Sequence, residues 1–544
     1  MRHLPARVVE LDEYPFEKLC KERVVIFVVS TTGGGEMPPN MRHFWKLLLR
    51  KSLPPNLLEN VNIAVLGLGD SSYQNFNFAG KKLFRRLLQL GAKMLTEVIL
   101  ADDQHELGID GAFVPWKNRI WEKIKDFDDT FPNMSLHQDP SVTLEPKLRF
   151  DYQYEKAEKR QQGEEYRALV VESNQRVTAE DHFQDTRLVK FEIPANSTES
   201  WIYQPGDVLM VRPCNLEESV KIAIEAFDYS AELLDRPARI VQTDDFTKAP
   251  PAYLIGDVTT LRICIERYFD LQQVPKRSFF EMLSYYSTDE SEKERLAELA
   301  SPQGLDDLLE YANRCRRTTA EALRDFPKTA KSLLPDQLFE IFTPIRPRAF
   351  SIASAPIQKS IELLVAKVEY SSRMADKRKG LCSTFISRLK WGDKVFCKIR
   401  PGTFKFPRPE NPLICIGPGT GVAPFRSLFK QRSNEPNTSN SLLFFGCRSK
   451  YSDFYFENEW NVMEGVETIV AFSRDTVRKV YVQDKMKERV ADIEALIDAG
   501  ASIFVAGSTG DMPKAVLNVI KQIKGEQWTL KAEASAKIQF ETWS

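Results

Sequence analysis

The chain has 544 residues, with 75 Lys and Arg against 76 Asp and Glu and a formal net charge of -1. That length exceeds one hydrophobic core and points to about three or four domains, while the charge balance excludes a nucleic-acid binder driven by bulk charge. No apolar run approaches the roughly 18–20 residues needed to cross a bilayer, and residues 1–7 lack an apolar signal region, so the expectation is a soluble cytoplasmic protein without a membrane anchor. Eight scattered cysteines form no C-x-x-C pair and five histidines form no cluster. No metal site is expected, and the chemistry falls to organic cofactors.

In chain order, residues 23–30 are a β-branched apolar run that reads as a buried strand. The run ends in a polar loop beginning Thr31-Thr32-Gly33-Gly34-Gly35. Residues 61–66 repeat the design and end in Gly67-Leu68-Gly69-Asp70-Ser71-Ser72-Tyr73. A third strand near 98–100 ends in Ala101-Asp102-Asp103. Amphipathic helical patterns at 40–51, 80–90 and 115–127 intervene, which predicts a parallel α/β sheet. All three polar loops then lie beyond the carboxyl ends of strands, where such sheets bind ligands.

These loops resemble the FMN-contacting loops of flavodoxin-like domains. The resemblance implies FMN contacts from Thr31, Thr32, Gly33, Gly34, Leu68, Gly69, Asp70, Tyr73, Asn75, Phe76, Asn77 and Asp103, with the Tyr73 ring stacked on the flavin. An ordinary glycine loop and a core aromatic are the alternatives. Flavodoxin-like domains also open with a strand and an S-x-T-G-T loop around the FMN phosphate. Here the chain reaches a second strand region at residues 7–10 with no such loop before it. The expectation is an N-terminally truncated flavodoxin-like domain over 1–131, its sheet lacking the first strand, and the absent phosphate loop leaves FMN binding open.

Residues 132–165, rich in Pro, Gln, Lys and Glu, read as a linker with helical propensity near 154–162. Short strands at 167–173, 186–193 and 208–212 predict an antiparallel barrel over 166–407. Helical spacing over about 216–335 predicts an all-helical insertion in it. The barrel resumes with Arg346-Pro347-Arg348-Ala349-Phe350-Ser351-Ile352, a strand near 361–370, and Gly380-Leu381-Cys382-Ser383. These two motifs resemble the R-x-Y-S strand and the pyrophosphate loop of ferredoxin-reductase-like FAD domains. The implied FAD contacts are Arg348, Ala349, Phe350, Ser351, Gly380, Leu381, Cys382 and Ser383. Arg348 can fork two N–H donors onto a phosphate, Phe350 offers a face to the flavin, and Ser351 a hydroxyl near its reacting edge.

Residues 413–416 form an apolar run followed by Gly417, Gly419 and Gly421 with Thr420 between them, and then a helical pattern. A strand, a glycine turn and a helix start cradle a phosphate well, since the backbone approaches closely and the helix N-terminus offers free N–H groups. The spacing is G-x-G-x-G rather than G-x-G-x-x-G, and a ligand-free tight turn is the alternative reading. Further buried strands are predicted at 442–445, 467–471 and 503–506. Ser473, Arg474 and Lys479 put hydroxyl and cationic donors past a strand end, which favours a 2′-phosphate and so NADP(H) over NAD(H). An extended backbone over 479–483 would place Lys479, Tyr481 and Gln483 on one side.

This region, 408–544, resembles the NADP(H) lobe of diflavin reductases, through S-R-x-x-x-x-K-V-Y-V-Q and the final E-T-W-S. The resemblance implies that Gly419, Thr420 and Gly421 face the diphosphate and that Ser473, Arg474, Lys479, Tyr481 and Gln483 hold the 2′-phosphorylated adenosine, with Asp511 also at the nucleotide. It places Trp543 over the flavin as a gate and Glu541, with Ser351, near the hydride path. Ala506 stands where microsomal cytochrome reductases carry a cysteine. The chain as a whole is thus multidomain α/β plus a β-barrel: flavodoxin-like sheet, FAD barrel with helical insertion, doubly wound NADP(H) lobe. It is most similar to the NADPH-dependent diflavin oxidoreductases of cytosolic iron–sulfur cluster assembly. That family implies an electron route from NADPH through FAD and FMN to an anamorsin-type iron–sulfur partner, with a monomer outside that complex. An FAD-only dehydrogenase with a defective FMN domain and a non-catalytic scaffold are the competing readings.

Overall fold

The computed structural model describes residues 7–32, 35–73, 75–124, 145–154, 166–194, 201–244 and 247–543. The chain divides into two compact units, 1–142 and 143–544. In the first, strands β1 (Val24–Ser30), β2 (Asn62–Gly69), β3 (Lys93–Met94) and β4 (Ile99–Asp102) form a parallel sheet. The long β2 pairs with β1 along one edge and with β3 and β4 along the other. Alternation along β1 turns Phe27 and Val29 into a core shared with the helices Arg42–Leu48 and Phe78–Gln89. The helix Asp110–Ile124 covers the opposite face through Trp116, Ile120 and Ile124. On β1 that opposite face carries Ile26 and Val28, both exposed.

Residues 7–10 do not form the expected strand: they pair with nothing among the described residues, and Val8 is exposed. Two residues later the Asp12 carboxylate accepts the N–H groups of His43 (3.2 Å) and Phe44 (2.7 Å), which draws the chain across the start of the helix Arg42–Leu48. Capping that helix and packing Leu11 on the core satisfy this segment without a sheet partner.

In the second unit, β5 (Leu148–Asp151), β6 (Arg167–Arg176), β7 (Thr186–Glu192), β8 (Val208–Val211) and β9 (Arg239–Gln242) precede β10 (Arg348–Ser351), β11 (Ser360–Ala366), β12 (Glu369–Tyr370), β13 (Arg378–Lys379) and β14 (Lys394–Arg400). Six of these make an antiparallel sheet in the order β10-β8-β14-β6-β7-β11. A bridge between Ile352 and Leu363 joins its two ends, so the sheet closes into a barrel around Leu169, Phe191, Leu209 and Ile361. The insertion is helical but not wholly so. Its strand β9 pairs with β5, inside the stretch whose composition reads as linker. Leu148 and Phe150 alternate into the insertion's core, and two apolar residues suffice to fix the strand although the surrounding composition is polar. The helical propensity expected near 154–162 lies almost wholly outside the described residues.

Five parallel strands complete the unit: β15 (Leu413–Ile416), β16 (Ser441–Cys447), β17 (Val466–Phe472), β18 (Ser502–Ser508) and β19 (Ile538–Trp543). Their order, β17-β16-β15-β18-β19, reverses direction between β15 and β18. That reversal opens a crevice at the carboxyl ends of the two central strands. No helix among the described residues is long and apolar enough to cross a membrane.

Candidate active site

The glycine turn follows β15 at the reversal point. Gly419 has φ +56 and faces open space, a left-handed conformation that glycine adopts without strain. Gly421 is fixed by contact rather than conformation: a Cβ there would lie 2.2 Å from the carbonyl oxygen of Ala506 at the end of β18. The turn tightens through the Gly421 N–H to Pro418 carbonyl bond (3.0 Å) and passes into the helix Ala423–Arg432. Thr420 lies half-buried at the rim. The donors of a helix start and the open side of Gly419 fit a diphosphate.

β19, which the sequence reading did not include, brings the far end of the chain to this crevice. Its register with β18 sets Glu541 beside Ala506 and Trp543 beside Ser508. The Thr509 N–H donates to the Trp543 carbonyl (2.8 Å), and the indole is 37% exposed, so it is held at its backbone and open at its ring. The two-residue alternation from Ile538 to Trp543 carries the strand signal, half-hidden by its polar residues.

From the barrel, β10 presents Ser351, whose hydroxyl donates to Glu541 Oε1 at 3.1 Å. The other carboxylate oxygen, Oε2, is buried with no hydrogen-bond partner. Burial pushes the Glu541 carboxyl up to about 7, against the Ser351 hydrogen bond and the Arg400 charge that pull it down. An orphaned buried oxygen that shares a proton near neutrality, beside a serine and a tryptophan, fits a site for a flavin ring and a nicotinamide.

The remaining flavin-side residues gather on the same barrel. Arg348 and Ala349 are exposed and Phe350 half-buried along β10, and the Arg348 guanidinium donates to the Arg346 carbonyl at 2.8 Å. Gly380 precedes the helix Leu381–Arg388, so the N–H groups of Leu381, Cys382 and Ser383 form its first turn. Burial raises the Cys382 thiol to about 12, and the positive charge of Arg348 opposes it. An arginine and the N–H groups of a helix start, both carried by the barrel, are the donors a pyrophosphate takes. Ser383 is buried, its hydroxyl accepting from the Val368 N–H (3.0 Å), so its side chain braces the loop.

Beyond β17, Ser473 is half-buried and Arg474 and Lys479 are exposed, and this pair of cations fits a phosphate dianion. The extended stretch expected over 479–483 ends early. Tyr481 precedes the helix Val482–Glu488, its N–H donates to the Asp484 carboxylate (3.0 Å), and Val482 and Met486 bury one turn apart. Gln483 therefore sits on a helix rather than alternating with Tyr481; local capping and i, i+4 burial outweigh the valine alternation. Asp511 is exposed at the start of the helix Asp511–Lys524.

In the first unit, the loops after β1, β2 and β4 converge. Thr31 donates its N–H to the Leu68 carbonyl (3.0 Å) and accepts from the Ala79 N–H (3.2 Å). Thr32 bonds with its N–H to the Glu36 carbonyl (3.1 Å), while Gly33 and Gly34 lie outside the described residues. Asp70 accepts the Ser72 N–H at 2.8 Å, and Asp103 donates its N–H to the Gly69 carbonyl at 2.9 Å. Asp102 accepts from the Ser71 N–H (2.8 Å); partial desolvation opposes its ionisation, yet the Ser71 hydrogen bonds hold its carboxyl below the usual range. Tyr73 is 40% exposed, Asn75 and Phe76 are half-buried, and fully buried Asn77 donates to the Ala101 carbonyl (2.9 Å). A half-exposed tyrosine fits one face of a planar flavin ring.

Three family models match in succession: flavodoxin over residues 1–116, FAD binding domain over 160–385 and oxidoreductase NAD-binding domain over 415–517. Among curated relatives, the Xenopus laevis protein named NADPH-dependent diflavin oxidoreductase 1 is 38% identical over 579 aligned residues, spanning 100% of this chain and 95% of the relative. The Danio rerio protein of that name is 39% identical, with the same coverage. The Candida albicans one is 32% identical over 99% of this chain and 94% of its own length. With flavodoxin, FAD-binding and NAD-binding regions in this order, the chain belongs to the family of NADPH-dependent diflavin oxidoreductases.

Proposed function

We propose that this oxidoreductase passes electrons from NADPH through FAD and FMN to an iron–sulfur protein of the anamorsin type, in cytosolic iron–sulfur cluster assembly. When bound, the nicotinamide supplies a two-electron hydride and the flavins accept it and hand on single electrons. The chain's own residues orient and gate. Gly419 to Gly421 hold the diphosphate against the helix start, and Arg474 and Lys479 with Ser473 neutralise the 2′-phosphate. Arg348 and the first turn of Leu381–Arg388 hold the FAD pyrophosphate. Trp543, open at its ring, would be the residue to stack on the flavin when it is bound. Ser351 and Glu541 face the transferring position, where Glu541 holds or releases a proton as the charge of the site changes.

The observation that carries this reading is the meeting of four separate segments at one point: the Ser351 to Glu541 hydrogen bond, with Ala506 beside Glu541 and against Gly421. That convergence supports a flavin and a nicotinamide in contact. The acceptor and the compartment rest on the resemblance to the cluster-assembly family.

A second reading is an NADPH-to-FAD dehydrogenase without onward transfer. The test is the flavin content of purified protein, with FMN and FAD separated after denaturation, alongside reduction of an iron–sulfur acceptor by NADPH. One FAD and one FMN per chain with acceptor reduction support the relay. FAD alone, with ferricyanide but no iron–sulfur reduction, supports the dehydrogenase and ends the relay reading.

A further inference from the structure

Asp453 lies outside every motif considered above. It ends the short helix Lys450–Asp453 that follows β16, and it is 4% exposed. A buried carboxylate is costly unless its oxygens are satisfied, and here they are satisfied by backbone. Oδ1 accepts the N–H groups of Arg448 (2.9 Å) and Ser449 (2.8 Å), and Oδ2 accepts that of Arg448 as well (3.0 Å). Two consecutive peptide N–H groups turned inward leave the carbonyls of Cys447 and Arg448 turned the other way.

Those carbonyls hold the neighbouring loop. Cys447 accepts the Ser473 N–H at 2.9 Å, and Arg448 accepts the Arg474 N–H at 2.8 Å. A third tie runs between the same loops, from the Lys450 N–H to the Asp475 carboxylate at 3.0 Å. Ser473 and Arg474 are thus mounted, at their backbones, on a loop whose conformation Asp453 sets. The barrel supports the same carboxylate from behind: half-buried His182 brings Nε2 within 3.9 Å of Asp453 Oδ2, and the Ala179 N–H donates to the Ser452 carbonyl at 3.0 Å.

We propose that Asp453 is a specificity-determining positioning residue: by fixing the loop after β16 it aims Ser473 and Arg474, and so sets the preference for a 2′-phosphorylated adenosine nucleotide. Asp453 touches no nucleotide itself. The inference rests on the reading of Ser473 and Arg474 as the 2′-phosphate site, and goes beyond it by naming what holds them. A long arginine on an unrestrained loop reaches many positions, and the entropy lost on fixing it subtracts from affinity. A braced loop has already lost that freedom before the phosphate arrives.

The test is calorimetric binding of 2′,5′-ADP and of 5′-AMP to the full-length purified protein and three variants: Asp453→Ala, Asp475→Ala and Arg474→Ala. Asp475 is exposed, so its variant keeps the question answerable should Asp453→Ala fold poorly. The expected result is a loss of about tenfold or more in 2′,5′-ADP affinity for Arg474→Ala and about tenfold for Asp453→Ala, with a smaller loss for Asp475→Ala. 5′-AMP binding stays within about twofold, because it lacks the group the loop addresses. If Arg474→Ala weakens 2′,5′-ADP while Asp453→Ala and Asp475→Ala bind as the parent does, the positioning role is overturned and the site reading survives. Equal loss of both ligands in the Asp453 or Asp475 variant also overturns it, since that marks general damage to the lobe. If Arg474→Ala leaves 2′,5′-ADP unaffected, the site reading falls and the inference with it.

Discussion

At the scale of single residues, the decisive groups are those whose chemistry is set by one or two neighbours. Glu541 is held up to about 7 by burial, so between its ordinary value and that one the folded chain binds a proton that the unfolded chain has released. Stability contributed by this group therefore falls as pH rises through this window and stays low above it. Glu541→Gln removes the penalty. The variant should gain on the parent by about 2–3 kcal/mol at pH 8 and by almost nothing at pH 4, read from urea unfolding of the flavin-free protein; a pH-independent difference would contradict the assignment. Gly421 makes the opposite kind of statement, about space. A methyl at 2.2 Å from the Ala506 oxygen forces the turn off β18, so Gly421→Ala should lose about 1–3 kcal/mol of stability and raise the KM for NADPH at least tenfold. Thermal melting and steady-state ferricyanide reduction check both.

At the scale of elements, two loops at strand ends are tied together. The loops after β16 and β17 are bonded to each other through Ser473 and Arg474, and the cationic side chains face outward from that pairing. Arg474→Ala should raise the KM for NADPH by about tenfold to a hundredfold, the worth of a charge-assisted phosphate contact, while moving that for NADH by less than about threefold. Parallel changes for the two nucleotides would remove Arg474 from the phosphate site.

At the scale of the second unit, a buried ion cluster ties the barrel to the dinucleotide lobe. Arg426, on the helix that follows the glycine turn, is 2% exposed. It donates to Glu362 of β11 (2.6 Å), to the Ala353 carbonyl (2.9 Å) and, through two nitrogens, to Glu459 (2.7 and 2.8 Å). The next residue, Ser427, donates to the Ser354 carbonyl at 2.5 Å. The helix that follows the glycine turn and the segment that follows β10 are thereby joined through fixed geometry. Arg426→Met strands the partly buried Glu362 and leaves Glu459 with Lys430 (3.1 Å) as its cation, and a loss of about 3 kcal/mol is expected. Chemical denaturation followed by both flavin and tryptophan fluorescence reads the loss, and a cost under about 1 kcal/mol would show the cluster to be ornamental.

What the sequence by itself determined is local and periodic. The apolar runs of β1, β2, β15, β16 and β18, the glycine turn and the cations after β17 are legible because strand burial and phosphate binding each demand residue types at close spacing. What only the tertiary structure decided is non-local. No spacing rule links Ser351 to Glu541, 190 residues apart, or Asp453 to the loop that carries Arg474. β5, inside the stretch that composition reads as a spacer, pairs with β9, and residues 7–10 have no strand partner among the described residues, next to Asp12, which finds a helix to cap. The physical reason is the same in each case: a strand partner, a buried carboxylate or a glycine required by contact is selected by atoms that arrive from elsewhere in the chain, and those atoms meet only once it has folded.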